Sequence, residues 1–119
     1  KLLGFALNEK LRILEGYPVA YFVLNEKELH QFDYRKGDLE GLVNYPFSIK
    51  GIKVCALLNE AEGFVKMSFR SKGNIDMNKF ARAYFNGGGH INAAGGKSTN
   101  SLSQTEMKFR DLVKTLFKA

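Results

Sequence analysis

The sequence predicts an α/β fold: a small mixed β-sheet of about four to five strands flanked by helices. Three observations carry that expectation. Residues 17–24 are β-branched and aromatic, as in a buried strand, and Ile52–Asn59 is nearly all apolar, the pattern of a strand buried on both faces. Residues 63–71 alternate instead, with Val65, Met67 and Phe69 pointing one way and Lys66, Ser68 and Arg70 the other. Between and around these runs lie segments with apolar residues at helical spacing.

Taken in order, Leu3, Leu7, Leu11 and Leu14 predict a first helix that Gly16 stops. A buried strand over the β-branched and aromatic run 17–24 follows, then a short helix over 25–32 opening at Asn25. Lys36-Gly37-Asp38 reads as a turn, with Asp38 capping a helix through about Asn44 that Pro46 closes. Ile52–Asn59 and 63–71 are joined by so short a turn that they should form a hairpin. Asp76 caps a helix bearing Met77, Phe80, Ala81 and Tyr84 on one stripe, with Ile75 and Phe80 at the staple positions. Ala93–Ser98 reads as an edge strand. Ser103 and Glu106 read as a capping box, with Leu102 and Met107 as its staple. The last helix turns Phe109, Leu112, Val113 and Leu116 inward, and Lys108, Arg110, Lys114 and Lys118 outward.

Composition narrows the function. With 119 residues, 45% of them hydrophobic, and ten Phe and five Tyr, the chain can bury one domain's core and is no disordered tail. Apolar runs are too short to span a bilayer. The single Cys55 cannot form an internal disulfide, which points to a reducing, cytoplasmic setting. No signal peptide opens the chain. It starts at Lys1 in what reads as mid-helix, as expected of a piece of a larger protein. The net charge of +6 is uneven. Residues 1–59 carry eight Lys/Arg against seven Asp/Glu, residues 60–119 ten against five, and no acid falls between Asp76 and Glu106. A basic half suits a polyanionic ligand; a solubilising surface would show the same charge.

The chemistry concentrates in 70–96. Gly87-Gly88-Gly89 expose amides without side chains, a run that can fold into a nest for phosphate or carboxylate oxygens. Capping the preceding helix would need one glycine, not three. The run follows a helix C-terminus, so cationic help has to come from His90, Arg70, Lys72 or Lys97. His90, after glycines and among small neighbours, reads as an exposed donor, whereas His30 reads as a solvated surface residue. Arg70 ends the polar face of its strand, and its fork suits a phosphate; a surface ion pair is the competing reading. Arg82 reads as a surface residue. Tyr84 fits the core stripe, and Phe85 is open between core and base stacking.

Several engines are excluded. Gly95-Gly96-Lys97-Ser98 looks like the end of a phosphate-binding P-loop, but Ile91 stands where that motif needs glycine. No HExxH, no Cys/His metal spacing and no Ser-His-Asp arrangement occurs; Asp33, Asp38 and Asp76 are scattered.

Gly87-Gly-Gly-His-Ile-Asn-Ala-Ala-Gly95 matches GGGHxxAxG at every fixed position. It resembles the signature of the DHH-associated domain found C-terminal to DHH phosphoesterase domains. Phe69-Arg-Ser-Lys72, Ile75-Asp-Met-Asn-Lys-Phe-Ala81 and, more weakly, Gly37-Asp-Leu-Glu-Gly-Leu-Val-Asn-Tyr-Pro46 resemble the same family, in its bifunctional oligoribonuclease/pAp phosphatase branch. The resemblance implies a linker helix over 1–16, leading from an N-terminal DHH catalytic domain, and a substrate-binding lid over 17–119. It implies that a divalent metal pair, of the manganese type, sits in that catalytic domain, and that this chain has no cofactor of its own and does not cleave. It implies that Arg70, Ser71, Lys72, Gly87, Gly88, Gly89, His90 and Asn92 hold the phosphates of short single-stranded RNA or a pAp-like nucleotide. The partners implied are that substrate and the DHH domain, with no membrane; a homodimer is compatible with the sequence. Other branches (cyclic dinucleotide phosphodiesterase, single-strand exonuclease, exopolyphosphatase-like) and a stand-alone nucleic-acid-binding module, as at the end of alanyl-tRNA synthetases, are the alternative readings.

Overall fold

Helix α1 (Leu2–Phe5) opens the chain and widens into a π-type turn over Ala6–Lys10. These residues and those that follow come from a computed structural model, which describes residues 1–32 and 36–118. Instead of continuing as the expected helix to Gly16, the backbone extends into strand β1 (Leu11–Ile13), paired antiparallel with β2 (Val19–Leu24). The leucine spacing misled because Leu11 and Leu14 serve different cores. Leu11 packs against one face of the sheet, and Leu14, buried, joins the core on the other. Gly16 makes the turn at φ 81°, a conformation that suits a residue without Cβ.

From β2 the chain crosses through α2 (Glu26–His30) and α3 (Lys36–Asn44) to β3 (Val54–Ala61), which lies parallel to β2. The Asn25 side chain accepts the Glu28 amide while Glu28 reaches back to the Asn25 amide, so α2 is boxed in as its sequence suggested. Helix α3 begins at Lys36, so Asp38 sits in its first turn rather than at its cap, and the expected turn at 36–38 is helical. Pro46 lies at the start of a 3-10 turn, Tyr45–Ser48. Asp33 falls outside the described residues.

The hairpin forms as predicted. β3 pairs antiparallel with β4 (Phe64–Ser71) through a tight turn at Glu62 and Gly63, both with positive φ. Helix α4 (Met77–Tyr84) is capped by Asp76, which accepts the Lys79 amide. Two short strands, β5 (Gly88–Gly89) and β6 (Ala93–Ser98), follow, and α5 (Leu102–Val113) closes the fold, its end tightening into a 3-10 turn. The cap of α5 is Ser101 with Gln104, not Ser103 with Glu106. Met107 is exposed, so the expected staple does not form.

The six-strand mixed sheet runs β1-β2-β3-β4-β6-β5, two strands more than the four evident runs because β1 and β5 are too short to show a period. One face carries α4 and α5 over a core centred on Phe69, whose ring meets Phe80, Phe85 and Phe109 at 5.4–6.0 Å. Truncating so packed a phenylalanine to Ala costs about 3–5 kcal/mol. The other face carries α1, α2 and α3, whose apolar residues lie over β2 and β3. Of those helices α3 reaches only as far as β4, so the second face of the sheet is open over β6 and β5. Among the described residues no helix is long and apolar enough to cross a membrane.

Candidate functional site

The register of the sheet arranges the open face in rows. Arg70 pairs with Ala93, and Ala93 exchanges both backbone hydrogen bonds with His90 at 2.8 and 3.3 Å. Cross-strand partners project to the same side of a sheet. Arg70 and His90 therefore share one row with Ala93 between them, about 10 Å apart at two strand spacings. The next row is Leu57, Ser68, Gly95 and Gly88. These residues floor a cavity of about 300 Å³, walled on one side by Leu39 and Glu40 of α3.

Arg70 is half-buried. Its Nη1 donates to the Phe69 carbonyl at 2.9 Å, and among the described residues no carboxylate pairs with it, so the surface ion-pair reading fails. A guanidinium held in place yet unneutralised is an anion receptor. Lys72 continues the same face of β4, its ammonium over the Phe47 ring at 5.1 Å. His90 is exposed on the β5–β6 hairpin, one residue beyond β5. Cys55, Arg70's neighbour in the same row on β3, is fully buried in the core under the helices of that face. Burial pushes its thiol up to about 12 despite the nearby Lys72, so it is no nucleophile.

The three glycines do not form the expected open nest. After helix α4, Asn86 stands at φ 50° and the Gly87 amide donates to the Ala81 carbonyl, six residues back, at 3.2 Å. Asn78 Oδ1 accepts the Gly89 amide at 2.9 Å, and the His90 amide is spent on Ala93. The glycines are instead required by close approach. A Cβ on Gly87 would fall 1.8 Å from the Gly95 carbonyl oxygen, and one on Gly89 would fall 2.6 Å from that of Ala93. They let β5 lie against β6 under α4, and they keep side chains off the floor of the cavity.

Ser71 and Asn92 occupy a different place from Arg70. Ser71 is buried on the opposite side of β4, where its hydroxyl donates toward the Ile75 and Ile91 carbonyls at 2.7 and 3.2 Å. Asn92 donates to Ser71 Oγ at 3.0 Å and to the Gly73 carbonyl at 3.1 Å. Together they tie the loop after β4 to the β5–β6 turn and so fix His90 relative to Arg70. Phe85, open by sequence between core and base stacking, is buried in the core, and Tyr84, expected on the core stripe, stands exposed, edge-on to Phe80 at 5.5 Å. Arg82 and His30 are exposed, as read from the sequence.

Sequence reasoning passed over Ser68 and Asn59 as site residues. The alternation of β4 already put Ser68 on the face of Arg70; Asn59 was visible only as a polar residue closing an apolar run. Among the described residues no three His, Cys, Asp or Glu side chains cluster as metal ligands. The arrangement can bind and orient an anion.

A family model for the DHHA1 domain matches residues 16–119. Among solved structures, an exopolyphosphatase-related protein from Bacteroides fragilis superposes with a TM-score of 0.90 at 35% identity, over 98% of this chain and 35% of its own. A pGpG-specific phosphodiesterase from Vibrio cholerae, PggH, shares the fold at a TM-score of 0.65 and 12% identity, over 97% of this chain and 37% of its own. The C-Ala domain of Aquifex aeolicus alanyl-tRNA synthetase shares it at 0.60 and 13%, over 87% of this chain and 96% of its own. The chain thus spans about a third of the length of the two larger proteins. No match was found among curated proteins.

Proposed function

The chain belongs to the DHHA1 domain family, and from that premise we propose that it is the substrate-binding domain of a DHH-family phosphoesterase. In this reading it holds a short oligoribonucleotide or a pAp-like nucleotide while an N-terminal DHH domain hydrolyses the phosphodiester or phosphomonoester. The observation that carries the proposal is the row Arg70–Ala93–His90 over a cavity floored by Gly88 and Gly95. It offers a fork of donors and an imidazole on either side of a strip without bulky side chains, where a nucleotide's phosphate can approach the backbone.

A divalent metal pair in the DHH domain would supply the activated water and the charge stabilisation common to phosphoryl hydrolysis. This chain's residues supply selection and placement: Arg70 and His90 grip the phosphate, Lys72 adds positive potential, and Ser71 and Asn92 hold the two grips at fixed separation. The relatives described above as an exopolyphosphatase-related protein and a pGpG-specific phosphodiesterase support phosphate esters and anhydrides as the substrate class. The oligoribonuclease/pAp branch is the finer reading, resting on the motif resemblance.

The test is titration of the chain with pAp and with a diribonucleotide. The expected result is binding weakened about tenfold or more in Arg70→Ala and in His90→Ala, with unfolding temperatures unchanged. Equal affinity in all three proteins removes the site.

A further inference from the structure

The third row of the open face is Asn59, Lys66 and Lys97, aligned across β3, β4 and β6. Two lysines stand directly opposite each other on adjacent strands, an arrangement that costs stability unless something neutralises it. Nothing in the described chain does. Neither ammonium is in an ion pair, and Lys97 rests over the Phe64 ring at 5.4 Å. Glu40 lines the cavity from α3 without pairing with either lysine. Asn59 is only 4% exposed and lines the same cavity, with Lys66 opposite it on β4. Two ammonium groups facing each other with no carboxylate between them, in the row of a cavity-lining amide, suit an anion that neutralises both.

We propose that Asn59, Lys66 and Lys97 form a second anion subsite at the far end of the cleft, so that it takes a linear nucleotide carrying two separated phosphates. The inference rests on the reading of the Arg70–His90 row as a phosphate site. Four residues of β4 separate Lys66 from Arg70, roughly 13 Å at the usual strand rise. At that separation each pole has room for a phosphate of its own. Between them the row Leu57–Ser68–Gly95–Gly88 is neutral and low, a bed for a sugar and base. The ligand class is a phosphorylated dinucleotide or longer strand, with one phosphate at each pole. The cleft then measures length: a mononucleotide with a single phosphate fills one pole and leaves the lysines repelling each other.

The experiment compares pApA with ApA on the wild type, on Lys66→Gln/Lys97→Gln and on Arg70→Gln. The expected result is that the wild type binds pApA at least tenfold tighter than ApA. The double lysine variant loses that preference and keeps its ApA affinity, whereas Arg70→Gln weakens both ligands. If the wild type shows no preference, or if the lysine variant loses both ligands equally, the second subsite is wrong while the first stands. If Arg70→Gln changes nothing, the first site falls instead, and absence of binding by either ligand removes both. A thermal readout separates charge from fold: Lys97→Gln should raise the unfolding temperature at low salt, and added pyrophosphate should stabilise the wild type more than this variant. An unfolding temperature that falls, with no difference in the pyrophosphate effect, also overturns the subsite.

Discussion

Asn78 of α4 and Gly89 of β5 are joined by a hydrogen bond of 2.9 Å from the glycine amide to Asn78 Oδ1, which also accepts from Arg82 Nε at 3.1 Å. The helix before the glycines thus holds the strand that they form. A Cβ on Gly88 would meet the same Oδ1 at 3.1 Å, so helix and strand are in contact along this seam. Replacing Asn78 with Leu should cost about 1 kcal/mol, the usual net worth of one such bond. Hydrogen exchange at the Gly89 amide should accelerate, and pAp affinity should fall further than stability does. Asn78→Asp, which keeps the acceptor, should preserve the slow exchange. Unchanged exchange in Asn78→Leu would show that β5 is held by its ladder with β6 alone.

Gly96 tests the packing below the cleft. Its Cβ would sit 2.8 Å from both Phe85 Cβ and the Phe85 carbonyl oxygen, and that oxygen accepts the Lys97 amide at 2.8 Å. Neither neighbour is a flexible side-chain end, so Gly96→Ala must push β6 away from the turn after α4. Overpacking of this kind costs about 1–3 kcal/mol, read as a lower denaturation midpoint with an unchanged slope. Gly41→Ala, with nothing within 4 Å of its Cβ inside α3, should instead be neutral or stabilising.

Most of the sheet was legible because its central strands are long and buried on defined faces. The apolar runs of β2 and β3 and the alternation of β4 state their environments directly. The ends were not. Leu11 and Leu14 obey a helical spacing yet sit on opposite faces of a strand and its turn. Ser101 caps α5 in place of Ser103 because both serines have a box partner three residues on, Gln104 and Glu106. At the site, Arg70 and His90 were identifiable by residue type and position. The use of the glycine amides was not, because it depends on Asn78 and Ala81, residues whose reach into the loop has no local sequence signal.

Cys55 should be chemically silent in the folded chain. It is fully buried, and its pKa is raised from 9.0 to about 12 by burial, so the thiolate is negligible near neutral pH. For an acid with a raised folded pKa, the associated stability is present below the unfolded value and lost as pH rises through the folded one. A thiol reagent at about pH 8 should therefore modify Cys55 only as fast as the chain opens. Rapid stoichiometric modification under native conditions would contradict the buried position of β3.

Tyr21 gives the pH dependence of the opposite face. Its hydroxyl, buried under α5, donates to Glu106 Oε2 at 2.7 Å and accepts from Arg110 Nη1 at 2.8 Å, while Arg12 pairs with the same carboxylate at 2.9 Å. Burial, then the hydrogen bond to Glu106, raises the Tyr21 pKa above 10.0, and Arg110 only partly offsets this. The native state therefore holds the phenolic proton more tightly than the unfolded chain does. This contribution is whole below the unfolded value of about 10 and drains away as pH climbs through the raised folded value. Tyr21→Phe should lose about 1–2 kcal/mol at neutral pH, because Glu106 loses a donor and Arg110 an acceptor. Above about pH 10 the wild type should decline faster than the variant, so the gap between their urea midpoints narrows. A gap that stays constant from neutral to alkaline pH would mean that the Tyr21 proton is not held by this network.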